Sequence, residues 1–388
     1  MSEKRKDHRG RVLKKGESQR TDRTYQYRYS DPFGKRRYVY ADTLQELREK
    51  EAEIQRDLED GIRTVDGKMT VLELMDRYLS LQHGIRPNTV SNHNYVRKIV
   101  AKEVFGQRPI RDVGTSDVKL WFIKLNQEGK RYSTLQSLRG VLKPAFDMAV
   151  EEDILRKNPF AFPLSRVVAN DTESREPLTD EQVDDFFAFV QNGKSSCKYY
   201  DQLVILLGTG LRVSELFGLT LADVDFKRRR IRVDRQLQYD RNGRLYVQKP
   251  KTASGERYIP LLDDAVLEAF RRVVQNRGRP KVETVVDGVS GFLFIDKNGK
   301  PKTNYSLQHG LKRIVEHYNE THEPITLTPH VLCHTFCTRM AQAGMPVKEL
   351  QYLMGHSDVE TTLRIYTHMD YDAAERSFQK YSALTRIG

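Results

Sequence analysis

The sequence predicts a multidomain protein, mainly α-helical with small antiparallel β-sheets. A chain of 388 residues is long enough for two to three domains. Near its start, aromatic and polar side chains alternate, which is typical of half-buried strands. Most of the chain after Thr70 instead spaces its apolar residues three and four apart, which is typical of helices. A second strand-forming region with an Asn-Gly turn lies near residues 230–260.

The charge of the chain indicates a polyanionic partner. The formal net charge is +12, and residues 1–40 hold thirteen basic against five acidic side chains, interleaved with aromatic residues. That interleaving favours a folded basic surface over a solvated tail. No apolar run reaches the roughly 18–20 residues of a transmembrane helix, and the charged start lacks a signal peptide's apolar stretch. Three cysteines do not form a secreted disulfide framework, so we expect a cytoplasmic protein.

Residues 1–65 are expected to form a small DNA-binding domain, a three-stranded sheet backed by one helix. The segments TYQYRYS and KRRYVY predict two strands around a turn, and Arg11 to Gly16 is the candidate third strand. A helix is expected from about Thr43 to Gly61. A sheet face can enter the major groove of DNA. The basic side chains available for phosphates are Lys14, Lys15, Arg28, Lys35, Arg36 and Arg37.

Residues 70–165 are expected to form a helical domain. About four segments show helical spacing, namely VLELMDRYLSL, NTVSNHNYVRKIVAKEVF, SDVKLWFIKLNQEG and YSTLQSLRGVLKPAFDMAVEEDIL. None of them holds a catalytic constellation. A proline-containing, aperiodic stretch, NPFAFPLSRVVANDTESREP, then links to a third domain at residues 175–388.

The third domain mixes helices with a small sheet. Thr179 and Gln182 predict a capping box at its first helix. A buried helix follows, which we expect Gly208 and Gly210 to interrupt. The pieces RIRVDRQLQYD, LYVQK and RYIPL predict one three-stranded antiparallel sheet with a turn at Asn242-Gly243. Helices account for the rest of the domain.

Two cationic side chains stand out in this domain. Arg212 follows the glycines of GTG in an otherwise apolar segment, so it is either an ion-pair partner of Glu215 or a ligand for an anion. Lys251 lies in the loop KPKTASGER between two strands. It is either a solvated charge or a flexible donor that protonates a leaving oxygen, if neighbouring charges lower its pKa.

A histidine-rich helix follows, with Thr328 as its N-cap. His330, Cys333, His334 and Cys337 lie at positions i, i+3, i+4 and i+7 of one face. A zinc site is rejected because one straight helix cannot wrap four ligands tetrahedrally around an ion. The apolar neighbours predict instead that this helix is largely buried.

The segment GHSDVETTLRIYTH presents Tyr366 ten residues after His356. Alone, such a tyrosine packs in a core more often than it serves as a nucleophile. The ordered set of an arginine, a lysine, two histidines and a tyrosine changes that expectation, because it suits an enzyme that attacks a phosphodiester with a phenol. Such a reaction needs a nucleophile, cations around the phosphate and an acid for the leaving oxygen.

Four segments together closely resemble the tyrosine recombinases, particularly the integrases of conjugative transposons: TGLRVSELFGLT, PKTASGERYIPL, TPHVLCHTFCTRMAQAGM and LQYLMGHSDVETTLRIYTHM. The resemblance implies that Arg212 clamps the phosphate, Lys251 is the general acid and His330 opens the HxxR motif. His356 stands where the family has histidine or tryptophan, and Tyr366 is the nucleophile that forms a 3′-phosphotyrosine. It also implies arm-site, core-site and catalytic domains in that order, and a reaction that needs no ATP, metal or other cofactor.

Cys333 departs from the family, which has its second arginine at this position. A thiol there replaces a fixed charge with five donors, so we expect severely impaired cleavage; Arg339 is out of phase to compensate. The alternative is a catalytically inactive integrase that binds and bridges DNA. A type IB topoisomerase would share the chemistry, but the separate basic N-terminal domain argues against it.

The resemblance also implies partners. These are double-stranded DNA at core and arm sites, three further copies in a tetramer on DNA, an excisionase and a host DNA-bending protein, with no membrane. We expect a bacterial, cytoplasmic, nucleoid-associated protein. After Tyr366, the side chains of Phe378, Tyr381 and Leu384 are spaced either to dock on a neighbouring protomer or to fold onto their own domain.

Overall fold

A computed structural model describes most of the chain, in two compact units that comprise residues 1–173 and 174–388. The described residues are 5–31, 34–59, 69–171, 176–240, 243–250, 255–366 and 375. Lys251 and the C-terminal docking candidates Phe378, Tyr381 and Leu384 lie outside them. Within the described ranges, no helix combines the length and the apolar character that crossing a membrane requires.

The first unit begins with the predicted three-stranded antiparallel sheet backed by a helix. Its elements are β1 (Glu17–Gln19), β2 (Tyr25–Ser30), β3 (Arg36–Ala41) and α1 (Leu44–Glu59), with the strands in the order β1-β2-β3. The alternation in β2 turns Tyr25 and Tyr27 inward, where they pack with Leu44 and Leu47 of the helix. The opposite face of the sheet is left open.

The position of the first strand differs from the prediction. Arg11 to Gly16 contributes only an isolated bridge between Lys6 and Val12, and the strand begins at Glu17. The buried carboxylate of Glu17 accepts a 2.6 Å hydrogen bond from the Lys14 backbone N–H and a 3.0 Å one from Arg48 Nε of α1. Because burying an unpaired carboxylate is costly, these two contacts favour a strand that begins at Glu17 rather than at Arg11.

The rest of the first unit is the predicted four-helix domain. Its helices are α2 (Val71–Ser80), α3 (Pro87–Lys102), α4 (Thr115–Gln127) and α5 (Tyr132–Glu151). A capping box between Thr70 and Glu73 starts α2. The inward faces bury Phe122 and Phe146, and Phe160 of the following loop fills the space between them.

The second unit surrounds a separate hydrophobic core. Its elements are, in chain order, α6 (Asp180–Asn192), α7 (Tyr200–Thr209), α8 (Val213–Leu216), β4 (Val224–Asp225), β5 (Arg230–Val233), β6 (Gln236–Tyr239), β7 (Leu245–Gln248), β8 (Arg257–Pro260), α9 (Asp264–Gln275), α10 (Asn304–Asn319), α11 (Pro329–Gln342), α12 (Val347–Met354) and α13 (Val359–Tyr366). The predicted capping box of Thr179 and Gln182 starts α6.

The two glycines of α7 have different roles. Gly210 ends the helix with a φ of +65°, a left-handed conformation that disfavours other residues. Gly208 lies inside the helix and does not interrupt it, so that expectation is wrong. A Cβ at Gly208 would lie 2.2 Å from Val266, which explains the glycine as a close-packing site for α9.

The expected single three-stranded sheet is also wrong. Strands β4, β5 and β8 form one sheet, whereas β6 and β7 form a separate hairpin. The chain leaves the first sheet after β5, where Arg235 donates to the buried carboxylate of Asp223. The backbone then passes so close to Gly218 that a Cβ there would lie 3.1 Å from Arg235 O and Leu237 N.

Candidate active site

Arg212 lies between the end of α7 and the start of α8, and Glu215 holds it from two sides. Its backbone N–H donates to Glu215 Oε2 at 3.0 Å, and its Nη1 donates to Oε1 at 3.0 Å. A third contact runs from Nη2 to the Gly355 carbonyl at 3.4 Å. The side chain is still 34% exposed. Both alternatives therefore coexist: Arg212 is an ion-pair partner and still has surface to offer an anion.

Arg257, which the sequence analysis missed, is the second cation of this cluster. Its side chain is fully buried, and Nη2 donates to Glu215 Oε2 at 2.9 Å. Burial would raise the pKa of Glu215, but Arg257 and then Arg212 lower it below its ordinary value. Glu215 is consequently a permanent anion shared by two guanidinium groups.

One signal could have revealed Arg257 from the sequence. In the strand β8, Arg257 and Ile259 face inward, while Tyr258 and Pro260 face outward. A charged residue on the inward face of a short strand requires a buried counter-ion, because an isolated buried charge is strongly disfavoured. Glu215 supplies this counter-ion, and its Oε1 accepts a 3.3 Å hydrogen bond from Arg257 Nη1.

Cys333 lies on α11 and is 5% exposed. Its thiol donates to the carbonyl oxygen of Gly210 at 3.0 Å, and burial raises the pKa of the thiol to about 12. The side chain is therefore a neutral thiol at physiological pH. Arg212, His330 and Cys333 line one cavity of about 590 Å³ with largely apolar walls from α10 and the start of α11.

His356 follows Gly355, which ends α12 with a φ of +61°. Its Nδ1 shares a 2.9 Å hydrogen bond with the hydroxyl of Thr362 on α13. Burial, followed by the charges of Arg212 and Arg257, lowers the pKa of His356 to about 4. The imidazole is therefore neutral at physiological pH and can exchange hydrogen bonds without adding charge to the cluster.

Tyr366 ends α13 and is partly buried against the small hydrophobic cluster formed by α11 and α12. Its hydroxyl donates to the carbonyl oxygen of Met345, in the turn between α11 and α12. Burial raises the pKa of this phenol. In this structure the tyrosine hydroxyl is therefore bonded to backbone outside the arginine cluster.

Arg339 and His330, the remaining candidates of the second unit, lie in different surroundings. Arg339 pairs with Asp180 at the start of α6, so it does not supply the charge missing at Cys333. His330 is exposed beside the cavity. Within the described ranges, no three histidine, cysteine or acidic side chains are grouped as a metal site would require.

The six basic residues proposed for the N-terminal sheet occupy different places. Arg28 and Arg36 lie on the open face, where Arg28 pairs across the strands with exposed Tyr38. Arg37 faces the other side and donates to buried Asp31 at 3.0 Å. The three lysines lie in turns and are exposed: Lys14, Lys15 and Lys35.

This mainly helical unit holds two arginines with a neutral imidazole beside them, and a tyrosine at the end of α13. These groups can supply two parts of phosphodiester transfer, the cations and the nucleophile. Together with the fold, this set defines the class of the tyrosine recombinases. Sequence comparison agrees, since residues 176–373 match the phage integrase family and residues 1–58 match the DNA-binding domain of the Tn916 integrase. The chain belongs to the phage integrase family of tyrosine recombinases.

Individual relatives cover nearly the whole chain. The transposase from transposon Tn916 of Enterococcus faecalis and that from Tn1545 of Streptococcus pneumoniae are each 41% identical over 389 residues, covering 96% of both chains. The solved Tn1549 transposon integrase in complex with transposon right-end DNA is 41% identical, with a TM-score of 0.76, covering 81% of this chain and 100% of that one. A lambda integrase dimer on a core site, 18% identical with a TM-score of 0.57, shares the fold. The predicted family and fold class are confirmed.

Proposed function

We propose that this chain is a site-specific DNA recombinase that integrates and excises a mobile element through a 3′-phosphotyrosine, and that Cys333 severely impairs its cleavage step. The family and the DNA complexes of the Tn1549 relative support the reaction. The observation that carries the impairment is the thiol itself, which is buried, neutral and bonded to a backbone carbonyl where the family has a second arginine.

The reaction requires Tyr366 to leave its bond to Met345. Its oxygen then attacks the scissile phosphorus while the phenol proton passes to solvent water. The bond from phosphorus to the 5′ oxygen breaks, and the departing oxygen takes a proton to become a 5′ hydroxyl. Lys251 is proposed as the donor of that proton, while Arg212 and His330 bind the phosphate oxygens. Rejoining reverses these steps with the 5′ hydroxyl of the partner strand, so bond energy is conserved.

Replacing the second arginine by a thiol removes charge and donors from the pentavalent transition state. Loss of one oxyanion donor lowers the rate by about 10²–10³. Loss of a charged arginine should lower it by at least as much. The cavity next to Cys333 provides space in which an arginine at this position can extend towards Arg212. Cys333→Arg is therefore expected to restore cleavage without rebuilding the fold.

Cys333 also favours a second function, an inactive integrase that occupies and bridges its DNA sites. Both functions require the domains proposed for residues 1–65, 70–165 and 175–388 to bind arm and core sites. The recombinase function also implies a tetramer on DNA in the bacterial cytoplasm, with an excisionase and a host DNA-bending protein as further partners. The two functions are distinguished by whether a covalent adduct forms.

The test uses nicked suicide substrates made from the DNA that flanks the gene, with adducts separated on a denaturing gel. The native chain, Cys333→Arg and Tyr366→Phe are compared, and a gel shift on the same DNA confirms binding. We expect an adduct with Cys333→Arg, at most about 1% of that yield at early times with the native chain, and none with Tyr366→Phe. Equal adduct from the native chain contradicts the impairment.

A matched variant separates a specific clamp from added charge. Thr326→Arg introduces the same group at another position lining the cavity and is expected to leave cleavage at the native level. Low concentrations of methylguanidinium, added to the native chain, should raise adduct yield if the cavity accepts a guanidinium beside Cys333. If Thr326→Arg rescues as well as Cys333→Arg, general electrostatics rather than the clamp position explains the defect.

The open sheet face can be tested with two neighbouring arginines. Arg36 lies on that face, whereas Arg37 is paired with Asp31 on the other side. If the face binds phosphates, Arg36→Ala reduces the slope of log K against log salt by about one, and Arg37→Ala does not. Equal slopes for both variants contradict this assignment.

A further inference from the structure

We propose that Arg257 is a positioning residue for strand cleavage, which holds Arg212 and the turn before His356 in one geometry. The proposal rests on the proposed recombinase function, because a positioning role in cleavage presupposes that reaction. It assigns to Arg257 no contact with DNA, because the residue is buried behind the groups that bind the phosphate.

The guanidinium of Arg257 connects the start of its own strand to two distant segments. It donates to Glu215 Oε2 at 2.9 Å, to the Leu353 carbonyl at 2.6 Å and to the Gly255 carbonyl at 3.3 Å. Glu215 belongs to α8, Leu353 to the last turn of α12, and Gly255 lies two residues before Arg257 itself. One side chain therefore joins the neighbourhoods of two proposed catalytic groups, Arg212 before α8 and His356 after α12.

Glu215 transmits this anchoring to Arg212. The two carboxylate oxygens accept from both arginines, so the position of the carboxylate depends on Arg257 and in turn sets that of Arg212. Arg212 also donates to Gly355, whose Cα approaches Arg257 so closely that a Cβ would lie 2.7 Å from Nη1. The two arginines thus hold the Gly355 turn between them.

Arginine is specifically suited to this role. A planar guanidinium presents five donors in a fixed fork, so it can bind a carboxylate and two carbonyls at once, whereas a lysine ammonium is a point charge on a flexible stem. The fork of Arg257 already faces a carboxylate and two carbonyl acceptors inside the protein, which leaves it unsuited to bind a phosphate. Its effect on the reaction must therefore pass through Arg212 and the adjoining segments.

The first test replaces Arg257 by lysine, which keeps the buried charge paired with Glu215 but loses the fork. A displacement of about 1 Å at a catalytic group can cost about 100-fold in rate. We expect Arg257→Lys to fold, to bind the suicide substrate as the parent does, and to form adduct roughly 10–100-fold more slowly. The assay is run in the Cys333→Arg chain and in the native chain.

Arg277 provides a matched control in the same unit. Its side chain is 6% exposed, pairs with Glu283 at 2.7 Å and donates from Nε to the Phe292 carbonyl at 2.8 Å. Arg277→Lys removes a similar buried fork away from the cluster and should leave the cleavage rate unchanged. Equal losses in both variants, or no loss in Arg257→Lys, overturn the positioning role. A native chain that cleaves as fast as Cys333→Arg overturns only the proposed impairment.

A second readout does not depend on cleavage. The groups that act electrostatically on His356 are Arg212, Arg257, Glu215 and His330. Arg257→Met removes one cation and leaves Glu215 less compensated, so NMR titration should show the pKa of His356 rising from its low value; Arg277→Met should not change it. If Arg257→Met does not fold, Arg257→Lys is titrated instead and should shift the His356 ring resonances. Unchanged resonances and pKa overturn the proposal.

Discussion

Gly355→Ala should destabilise the second unit more than a backbone argument alone predicts. The residue has a φ of +61°, and an added Cβ would lie 2.7 Å from Arg257 Nη1 and 3.0 Å from its Cζ. The backbone strain of a left-handed alanine is about 1–2 kcal/mol, partly offset by the lower entropy of the unfolded chain. That leaves about 1 kcal/mol from strain.

The contact with Arg257 adds the larger share. The guanidinium is fully buried, so it can move away only by lengthening its bonds to Glu215 or to Leu353. Weakening one hydrogen bond to a charged group costs about 1.5–3 kcal/mol, which gives about 2.5–4 kcal/mol in total. For a unit of this size the melting temperature should fall by roughly 5–15 °C.

The assay is calorimetric unfolding of the full chain, following the transition of the second unit. Gly344→Ala is the control, because Gly344 has a φ of +81° but nothing lies within 4 Å of an added Cβ. That variant should lower the melting temperature by only about 2–4 °C. If Gly355→Ala and Gly344→Ala shift the transition equally, the close approach of Arg257 contributes nothing and the reasoning fails.

Three further results are expected. The pKa of His356, about 4 in the folded chain against about 6.5 in an unfolded one, lets only the unfolded chain take up a proton in that window. Stability should therefore fall as pH drops from 6.5 towards 4, and His356→Gln should reduce this dependence; a ring that titrates near 6.5 by NMR contradicts it. Thr335→Val should lower the free energy of unfolding by about 1–3 kcal/mol, because Leu178 N–H loses its 3.1 Å acceptor, and an unchanged urea midpoint would refute this. Iodoacetamide at pH 8 should alkylate exposed Cys197 within minutes and spare buried Cys333, whose thiol has a raised pKa. Mass spectrometry of the digested chain decides, and early labelling of Cys333 would show that its burial is not maintained in solution.

The sequence was sufficient for the helices and for the ordered candidate residues. Helical spacing and capping signals such as Thr179 with Gln182 are local, so they survive folding. The first strand and the single sheet were predicted wrongly because tertiary ion pairs determine both. Glu17 is fixed by Arg48, 31 residues away, and Arg235 by Asp223, which lies in a preceding turn.

In the site, too, local motifs could be predicted from the sequence and tertiary contacts could not. Arg212 and Tyr366 stand out because their motifs surround them, whereas Arg257 has meaning only through Glu215, 42 residues earlier in the chain. The position of the tyrosine hydroxyl on Met345 is likewise a packing result that spacing cannot supply. The sequence identified candidate catalytic side chains, and only the fold showed which side chains position them.

The charges of Arg212, Arg257 and Glu215 add up to one positive charge, since the two arginines share a single anion and the thiol of Cys333 is neutral. A phosphodiester in its ground state carries one negative charge and so matches this cluster. The pentavalent transition state carries two, and a site accelerates a reaction only when it binds that state more strongly than the substrate. With cysteine at position 333, a phosphodiester bound at this cluster would neutralise it, whereas an arginine there would leave one positive charge for the second negative charge of the transition state.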